Sequence, residues 1–316
     1  MIIFILCYYV FFRKEGNDVR TQRANAKINL YLDIVGRREN GYHDLYTVMQ
    51  TVSLCDLITV DYRPGIHTSI RLQASGNDRM PLDSRNLAWR AAELYLQAAK
   101  KSGEVTVTIE KHIPMAAGLA GGSTDAAAVL RVLNALCGSP LSVEELCKIG
   151  VKLGADVPFC IVGGCAIAEG IGEKLTPSKG LSGDTVLVVA CMGEGVSTPW
   201  AYGELDRKFD GFATKRSAEK GKKLSTSLQN EASVKELCPQ LYNVFESVVP
   251  QEQPYVDRIK ALMLENGAAV SMMSGSGPSV FGVFEDVSLA SKACELLRKM
   301  GADAFVCHPS AAYAIK

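Results

Sequence analysis

Residues 104–136 read EVTVTIEKHIPMAAGLAGGSTDAAAVLRVLNAL. Val105, Val107 and Ile109 alternate with polar residues, the period of a half-buried strand. A Gly/Ala-rich turn follows, in which Gly118, Gly121 and Gly122 allow torsions and close approaches that side chains block. It opens onto a long Ala/Leu/Val helix, for which Ser123, Thr124 and Asp125 are the expected capping side chains. Open N–H groups and the helix dipole both favour an anion there, so the expected occupant is the phosphate chain of a nucleotide. No Lys follows Gly122, which excludes a Walker A loop, and the glycine spacing does not fit G-x-G-x-x-G, so a dinucleotide fold is not supported.

The 316 residues suffice for one large or two medium domains. With 34 basic and 34 acidic side chains there is no net field to draw the chain to nucleic acid or to a membrane surface. The ten cysteines form no C-x-x-C pair and no zinc-like spacing with the four histidines, and Cys160 and Cys165 are expected as reduced core thiols. A cytoplasmic enzyme, monomeric or weakly dimeric, is the default expectation. The opening MIIFILCYYVFF is apolar but shorter than the ~20 residues that span a bilayer, and it lacks the features of a secretory signal. Lys14-Glu15-Gly16 can be encoded by a bacterial ribosome-binding sequence, so we expect residues 1–18 to be a non-native or disordered extension, with Val19 as the start.

Working outward from the glycine turn, residues 26–35 alternate as a strand that places Lys27 and Asn29 on one face, about 6–7 Å apart. A polar turn over 36–41 leads to a second strand over 44–62. Helices are expected over 86–101 and 142–153, the latter with a Ser142/Glu145 capping box and Gly154 at its end. A short strand over 161–169 closes the first half, and Pro, Ser and Gly over 176–183 mark a boundary. The second half reads as a strand over 185–190, an exposed charged loop over 209–223, and helices over 230–248 and 256–266. Two short strands within 270–284, joined through SGSGPS, precede a helix over 290–300 and a last strand over 304–308. Elements that mix without strict βαβ alternation favour an α+β fold.

AKIN at 26–29, PMAAGLAGGSTDAA at 114–127, LGADVPF at 153–159 and SGSGPS at 274–279 together resemble the GHMP kinase superfamily. GRRENGYHDLYTVMQTVSLCD and AEGIGEKLTP extend the likeness to the members that act on a cytidine-diphosphate-linked methylerythritol, over essentially residues 19–316. The resemblance implies two domains, 19–178 with a ribosomal-S5-domain-2-like fold and 179–316 with a ferredoxin-like fold. It implies ATP and Mg²⁺ as cofactors, phosphorylation of the acceptor's 2-hydroxyl in the non-mevalonate isoprenoid route, and no redox cofactor.

The resemblance also assigns roles. Asp156 lies past the negative end of the 142–153 helix, where a carboxylate calls for a cation, although an ordinary turn Asp is the common alternative. By resemblance it is the base that accepts the acceptor's hydroxyl proton, and Lys27 is its partner. Pro114, Met115, Ala116, Ala117, Gly118, Leu119, Ala120, Gly121 and Gly122 form the ATP loop, with Ser123 or Thr124 adding a hydroxyl near Mg²⁺. Ala116, Ala117 and Ala120 stand where related loops carry glycine, and alanine does not readily take positive φ. No loop carboxylate is an obvious metal ligand, so the metal ligands stay unassigned and Mg²⁺ is expected to arrive with ATP. Asn86 matches a position near the adenine and reads equally well as a helix cap. Tyr42 is expected to stack on cytosine and His43 to hydrogen-bond it, with Tyr202 as the opposing ring and Asn29 against the erythritol. SGSGPS reads equally as structural support and as substrate contact. A mevalonate- or homoserine-type kinase of the same superfamily is the near alternative, and a non-catalytic nucleotide- or RNA-binding module the distant one.

Overall fold

A computed structural model describes residues 10–14, 17–77, 79–210 and 218–314. The alternating AKIN strand is the middle of a 21-residue strand, β2 (Asn17–Arg37), paired antiparallel with the 22-residue β3 (His43–Pro64). Their register slips between Asn25 and Lys27, between Asn29 and Tyr31, and between Ile34 and Gly36. Such bulges re-aim side chains along a strand. Beyond β3 lies β5 (Gly103–Glu110), with β4 (Ser69–Ser75) parallel to it on the outer side. β6 (Cys165–Gly170) pairs with the other end of β3 and carries β7 (Lys174–Ser178). β1 (Val10–Lys14) pairs with the start of β2, so the described part of residues 1–18 is β-paired, not disordered; 1–9 and 15–16 lie outside the described residues.

The helices of the first half cover one side of this sheet. α1 (Leu87–Ala98), α3 (Val143–Leu153) and the six-residue α4 (Val157–Val162) surround α2 (Gly121–Leu136), in which every residue from Thr124 to Asn134 is buried. A helix buried on all sides must be apolar or pair its polar groups; alanines, valines and leucines supply the first, and Thr124, Asp125, Arg131 and Asn134 hydrogen-bond to neighbouring elements. The Ser142/Glu145 capping box forms as expected. α4 takes Ile161 and Val162 from the expected closing strand, which instead begins at Cys165; Pro158 is tolerated because N–H groups of the first helical turn have no intrahelical partner to lose.

In the second half, β8 (Val186–Cys191) precedes α5 (Thr198–Lys208), α6 (Glu219–Gln229), α7 (Val234–Leu237) and the two-residue β9 (Tyr242–Asn243). Then come α8 (Val249–Glu252), α9 (Tyr255–Glu265), β10 (Val270–Met273), β11 (Val280–Phe284), α10 (Val287–Lys299) and β12 (Asp303–Cys307). The second sheet runs β10-β11-β8-β12, all antiparallel. With α9 and α10 as its crossovers this is the ferredoxin-like arrangement, and the α+β class holds.

Two expectations fail here. Residues 230–248 are not one helix: Pro239 lacks an N–H donor, and the buried Asn243 side chain donates to the Met273 and Gly275 carbonyls. Extended at that point, the chain adds β9 to the first sheet beside Tyr31. Nor are residues 209–223 wholly loop, because α6 begins at Glu219; 211–217 lie outside the described residues. Its buried side is Gly221, Leu224, Ser225 and Leu228, and a Cβ on Gly221 would sit 2.5 Å from the Tyr46 ring. Charge hides this helix in the sequence, since its inner face is so narrow.

Candidate active site

The two lobes, the Gly/Ala loop and α5 enclose a cleft of about 1100 Å³. At its floor, Lys27 is only 4 % exposed. Its Nζ donates a 2.7 Å hydrogen bond to Oδ1 of Asn29 and lies 3.7 Å from Oδ2 of Asp156. Asn29 Nδ2 donates to Thr47 Oγ1 at 2.8 Å, and that hydroxyl donates to the Tyr31 carbonyl, which fixes the amide with its oxygen toward the lysine. The Lys27 N–H donates to the Leu119 carbonyl at 3.2 Å, tying the strand to the loop. The Asp156 side chain is 38 % exposed and faces the cleft. It lies two residues past the C-cap Gly154 of α3 and is also the N-cap residue of α4, with no capping bond of its own. The next helix presents its positive end there.

The loop follows its expected course with different chemistry in detail. Ala116 (φ 51°) and Ala120 (φ 58°) adopt the left-handed conformation that alanine was expected to resist, as does Gly118 (φ 78°). Each alanine there costs about 1–2 kcal/mol, which the packing around it must offset. α2 starts at Gly121 behind Ala120 with no side-chain cap, so the N–H groups of its first turn point into the cleft without intrahelical partners. Ser123, Thr124 and Asp125 are therefore not caps. Thr124 is buried and its hydroxyl donates to the Asn25 carbonyl, which leaves Ser123 as the hydroxyl in the cleft wall. Pro114, Met115 and Leu119 lie outside the cleft lining, and Leu119 belongs to the core. Asn86 acts as the cap of α1: Oδ1 accepts from the Ala88 N–H and Nδ2 donates to the Pro81 carbonyl, while its neighbour Leu87 reaches the cleft.

Behind the loop, Lys111 bridges two buried carboxylates, Asp56 at 2.5 Å and Asp125 at 2.8 Å. Asp56 also accepts from the His112 and Ile113 N–H groups. Burial lowers the Lys111 ammonium's pKa, but the two carboxylates more than offset this and hold it above its ordinary value. Burial drives the Asp125 carboxyl upward against the pull of Lys111. A Cβ on Gly121 would lie 3.0 Å from Lys111 Nζ, so this cluster forms the bed of the loop. The turn at SGSGPS packs on the same loop: Ser274 donates to the Gly118 carbonyl and the Ser279 N–H to that of Ala117. The turn supports the loop, while Gly275 and Ser276 also line the cleft.

At the other end, Tyr42 stands at the rim, 59 % exposed. His43 is buried, with Nε2 2.7 Å from Asp206 Oδ1 and its ring stacked on Tyr202 at 4.9 Å between centroids. Tyr202 also meets Phe245 edge-on at 5.0 Å, so its stacking partner is His43, and burial pushes its phenol above the ordinary range. Arg37 lies 3.5 Å from Asp206. Asp206 escaped the sequence reading; the signal for it is its i,i+4 spacing from Tyr202, which puts both on one face of α5.

The GHMP kinases N terminal domain matches residues 86–164, and the GHMP kinases C terminal domain matches residues 212–303. A 4-diphosphocytidyl-2-C-methyl-D-erythritol kinase of Alkaliphilus metalliredigens is 42 % identical over 276 residues, 87 % of this chain and 91 % of that protein. The chain belongs to the 4-diphosphocytidyl-2-C-methyl-D-erythritol kinase family of GHMP kinases. A crystal structure of 4-(cytidine 5'-diphospho)-2C-methyl-D-erythritol kinase is similar to this GHMP kinase with a TM-score of 0.72 and 34 % identity, covering 92 % of this chain and all of that one. The mevalonate kinase of Methanococcus jannaschii shares the fold, with a TM-score of 0.68 at 13 % identity, covering 94 % of this chain and 100 % of that one. Among the described residues of this kinase, no helix is long and apolar enough to cross a membrane.

Proposed function

We propose that this kinase transfers the γ-phosphoryl group of ATP to the 2-hydroxyl of 4-diphosphocytidyl-2-C-methyl-D-erythritol, giving the 2-phosphate and ADP for the non-mevalonate isoprenoid route. The observation that carries the reading is the Lys27–Asp156 pair, which shares one cleft with the open first turn of α2 and with the Tyr42–His43–Tyr202 cluster. Phosphates lie on the N–H groups of Gly121 to Ser123. The cytosine lies at the Tyr42 rim, with its pyrophosphate and erythritol reaching inward along Asn29.

Asp156 accepts the proton of the attacking hydroxyl as that oxygen bonds to the γ-phosphorus and the bridging bond to the β-phosphate breaks. Its partial exposure leaves the carboxylate open to a substrate. Lys27, buried and oriented by Asn29, offsets negative charge on the attacking oxygen and the transferring group. Positioning outweighs basicity for a loose phosphoryl-transfer transition state, so a lysine beside the base does not disqualify it. Mg²⁺ on the nucleotide fits the donors present: Ser123 offers one neutral oxygen in the cleft wall, and no group of three His, Cys, Asp or Glu among the described residues could cage an ion. An ion held so sparsely keeps its waters and its phosphate ligands, and when bound it supplies neutralisation of phosphate charge.

The experiment is an acceptor panel. ADP release is measured with MgATP and, in turn, the cytidine substrate, mevalonate and homoserine. Release with the cytidine substrate alone is expected; release with either of the others would move the protein to another GHMP kinase activity. No release with any acceptor would leave only a nucleotide-binding module.

A further inference from the structure

The ordered chain continues past β12. Residues 308–313 leave the second lobe and cross the first: the Ser53 N–H donates to the His308 carbonyl, the Ser310 N–H to Thr51 and the Tyr313 N–H to Val162, at 2.8, 2.8 and 2.9 Å. Bridges pair Val52 with Pro309 and Gly163 with Ala312. Gly163 makes the crossing possible, since a Cβ there would lie 2.7 Å from the Tyr313 ring. A face of that ring is covered by Arg131, whose guanidinium carbon sits 3.7 Å from its centroid.

Tyr313 touches the supports of both members of the Lys27–Asp156 pair. Its phenol oxygen accepts from the Asn25 N–H at 3.0 Å and donates to Asn25 Oδ1 at 3.1 Å. Asn25 stands two residues before Lys27, at the bulge where the β2–β3 register slips, and its amide also donates to the Val52 carbonyl. On the other side, the Tyr313 N–H holds the carbonyl of Val162, the last residue of α4, and Arg131 donates to the Cys160 and Ile161 carbonyls of the same short helix. Asp156 is the N-cap of α4, so a grip on its far end reaches the carboxylate through one rigid turn and a half.

We propose that Tyr313 is a positioning residue for phosphoryl transfer, setting the spacing of Lys27 and Asp156 by clamping the bulge before one and the helix bearing the other. The inference rests on the catalytic reading of that pair. Tyr313→Phe removes only the hydroxyl and keeps the ring under Arg131, whereas Tyr313→Ala removes both. Because a 1 Å misplacement far from the chemistry can cost about 10²-fold, kcat is expected to fall about tenfold in the Phe variant and about 10²-fold in the Ala variant, with both KM values within about twofold. In a Lys27→Ala background the Phe substitution has little further effect on turnover. A tail with only a structural role would lower Tm and leave kcat of the folded Tyr313→Phe enzyme unchanged. That result, or losses that multiply fully with Lys27→Ala, overturns the proposal. Wild-type turnover separates the layers: an active wild type with an unaffected Phe variant sinks this inference alone, and a wild type inactive on the cytidine substrate sinks the catalytic reading with it.

Discussion

Gly118 and Gly275 meet backbone to backbone across the lobe boundary, so close that a Cβ on Gly275 would lie 2.9 Å from the Gly118 carbonyl oxygen. The reverse substitution is worse: a Cβ on Gly118 would lie 2.2 Å from the Ser274 carbonyl oxygen, at a φ of 78°. The contact presses the SGSGPS turn onto the phosphate loop, and Asn243 and Glu246 hold that turn from below.

Gly118→Ala therefore adds a steric clash to the left-handed penalty of about 1–2 kcal/mol. The expected result is a lower Tm and a raised KM for ATP, with the acceptor KM less affected. Thermal melts and steady-state kinetics check it. An alanine variant with wild-type Tm and ATP affinity would mean that the loop and the turn are not in register as described.

The cluster beneath the loop gives a stability prediction. Lys111→Met leaves the Asp56 carboxylate buried without its cation, a loss of about 3–5 kcal/mol, measured by urea unfolding. Asp125→Asn is milder and carries a pH signature. The Asp125 carboxyl is pushed up to about 8 from an ordinary 3.8, so the folded protein holds a proton that the unfolded chain releases. That contribution is fully present below about pH 4 and is lost as pH rises to about 8. The stability of wild type relative to Asp125→Asn should fall across that window, and a difference independent of pH would contradict the assignment.

Much of the fold was legible because its elements announce themselves by periodicity. The AKIN strand, the capped helix over 143–153 and the strand pair around SGSGPS appear where expected. What escaped depends on contacts between distant residues. Helix α6 shows few apolar positions because a glycine forms part of its inner face. Ala116 and Ala120 take glycine-like torsions under tertiary constraint, against their local preference. At the site, Lys27 and Asp156 stand 3.7 Å apart, though 129 positions of sequence separate the two motifs that carry them. Asn86 turned to capping, and Asp206 was invisible until α5 laid it against His43.

Tyr42 and Asp206 probe the acceptor end. Stacking on an aromatic ring contributes about 1–3 kcal/mol per base, so Tyr42→Ala should raise the KM for the cytidine substrate by about fivefold to a hundredfold and leave that for ATP unchanged. Asp206→Asn removes the carboxylate that orients His43 and should act in the same direction. Equal rises in both KM values would place these residues outside the acceptor subsite.

Asp156→Asn tests the base. General acid–base groups contribute roughly 10²–10⁴-fold, and kcat of the folded variant should fall within that range; a lower Tm accompanies it, because the buried Lys27 loses its counter-charge. Turnover near that of wild type would remove the carboxylate from the mechanism.

The most direct measurement is phosphorus NMR of the reaction mixture with MgATP and 4-diphosphocytidyl-2-C-methyl-D-erythritol. The prediction is one new phosphomonoester, on the 2-oxygen of the erythritol, formed in equal amount with ADP and with the cytidine pyrophosphate intact. ADP formed with free inorganic phosphate alone, or a phosphate on another hydroxyl, would contradict it.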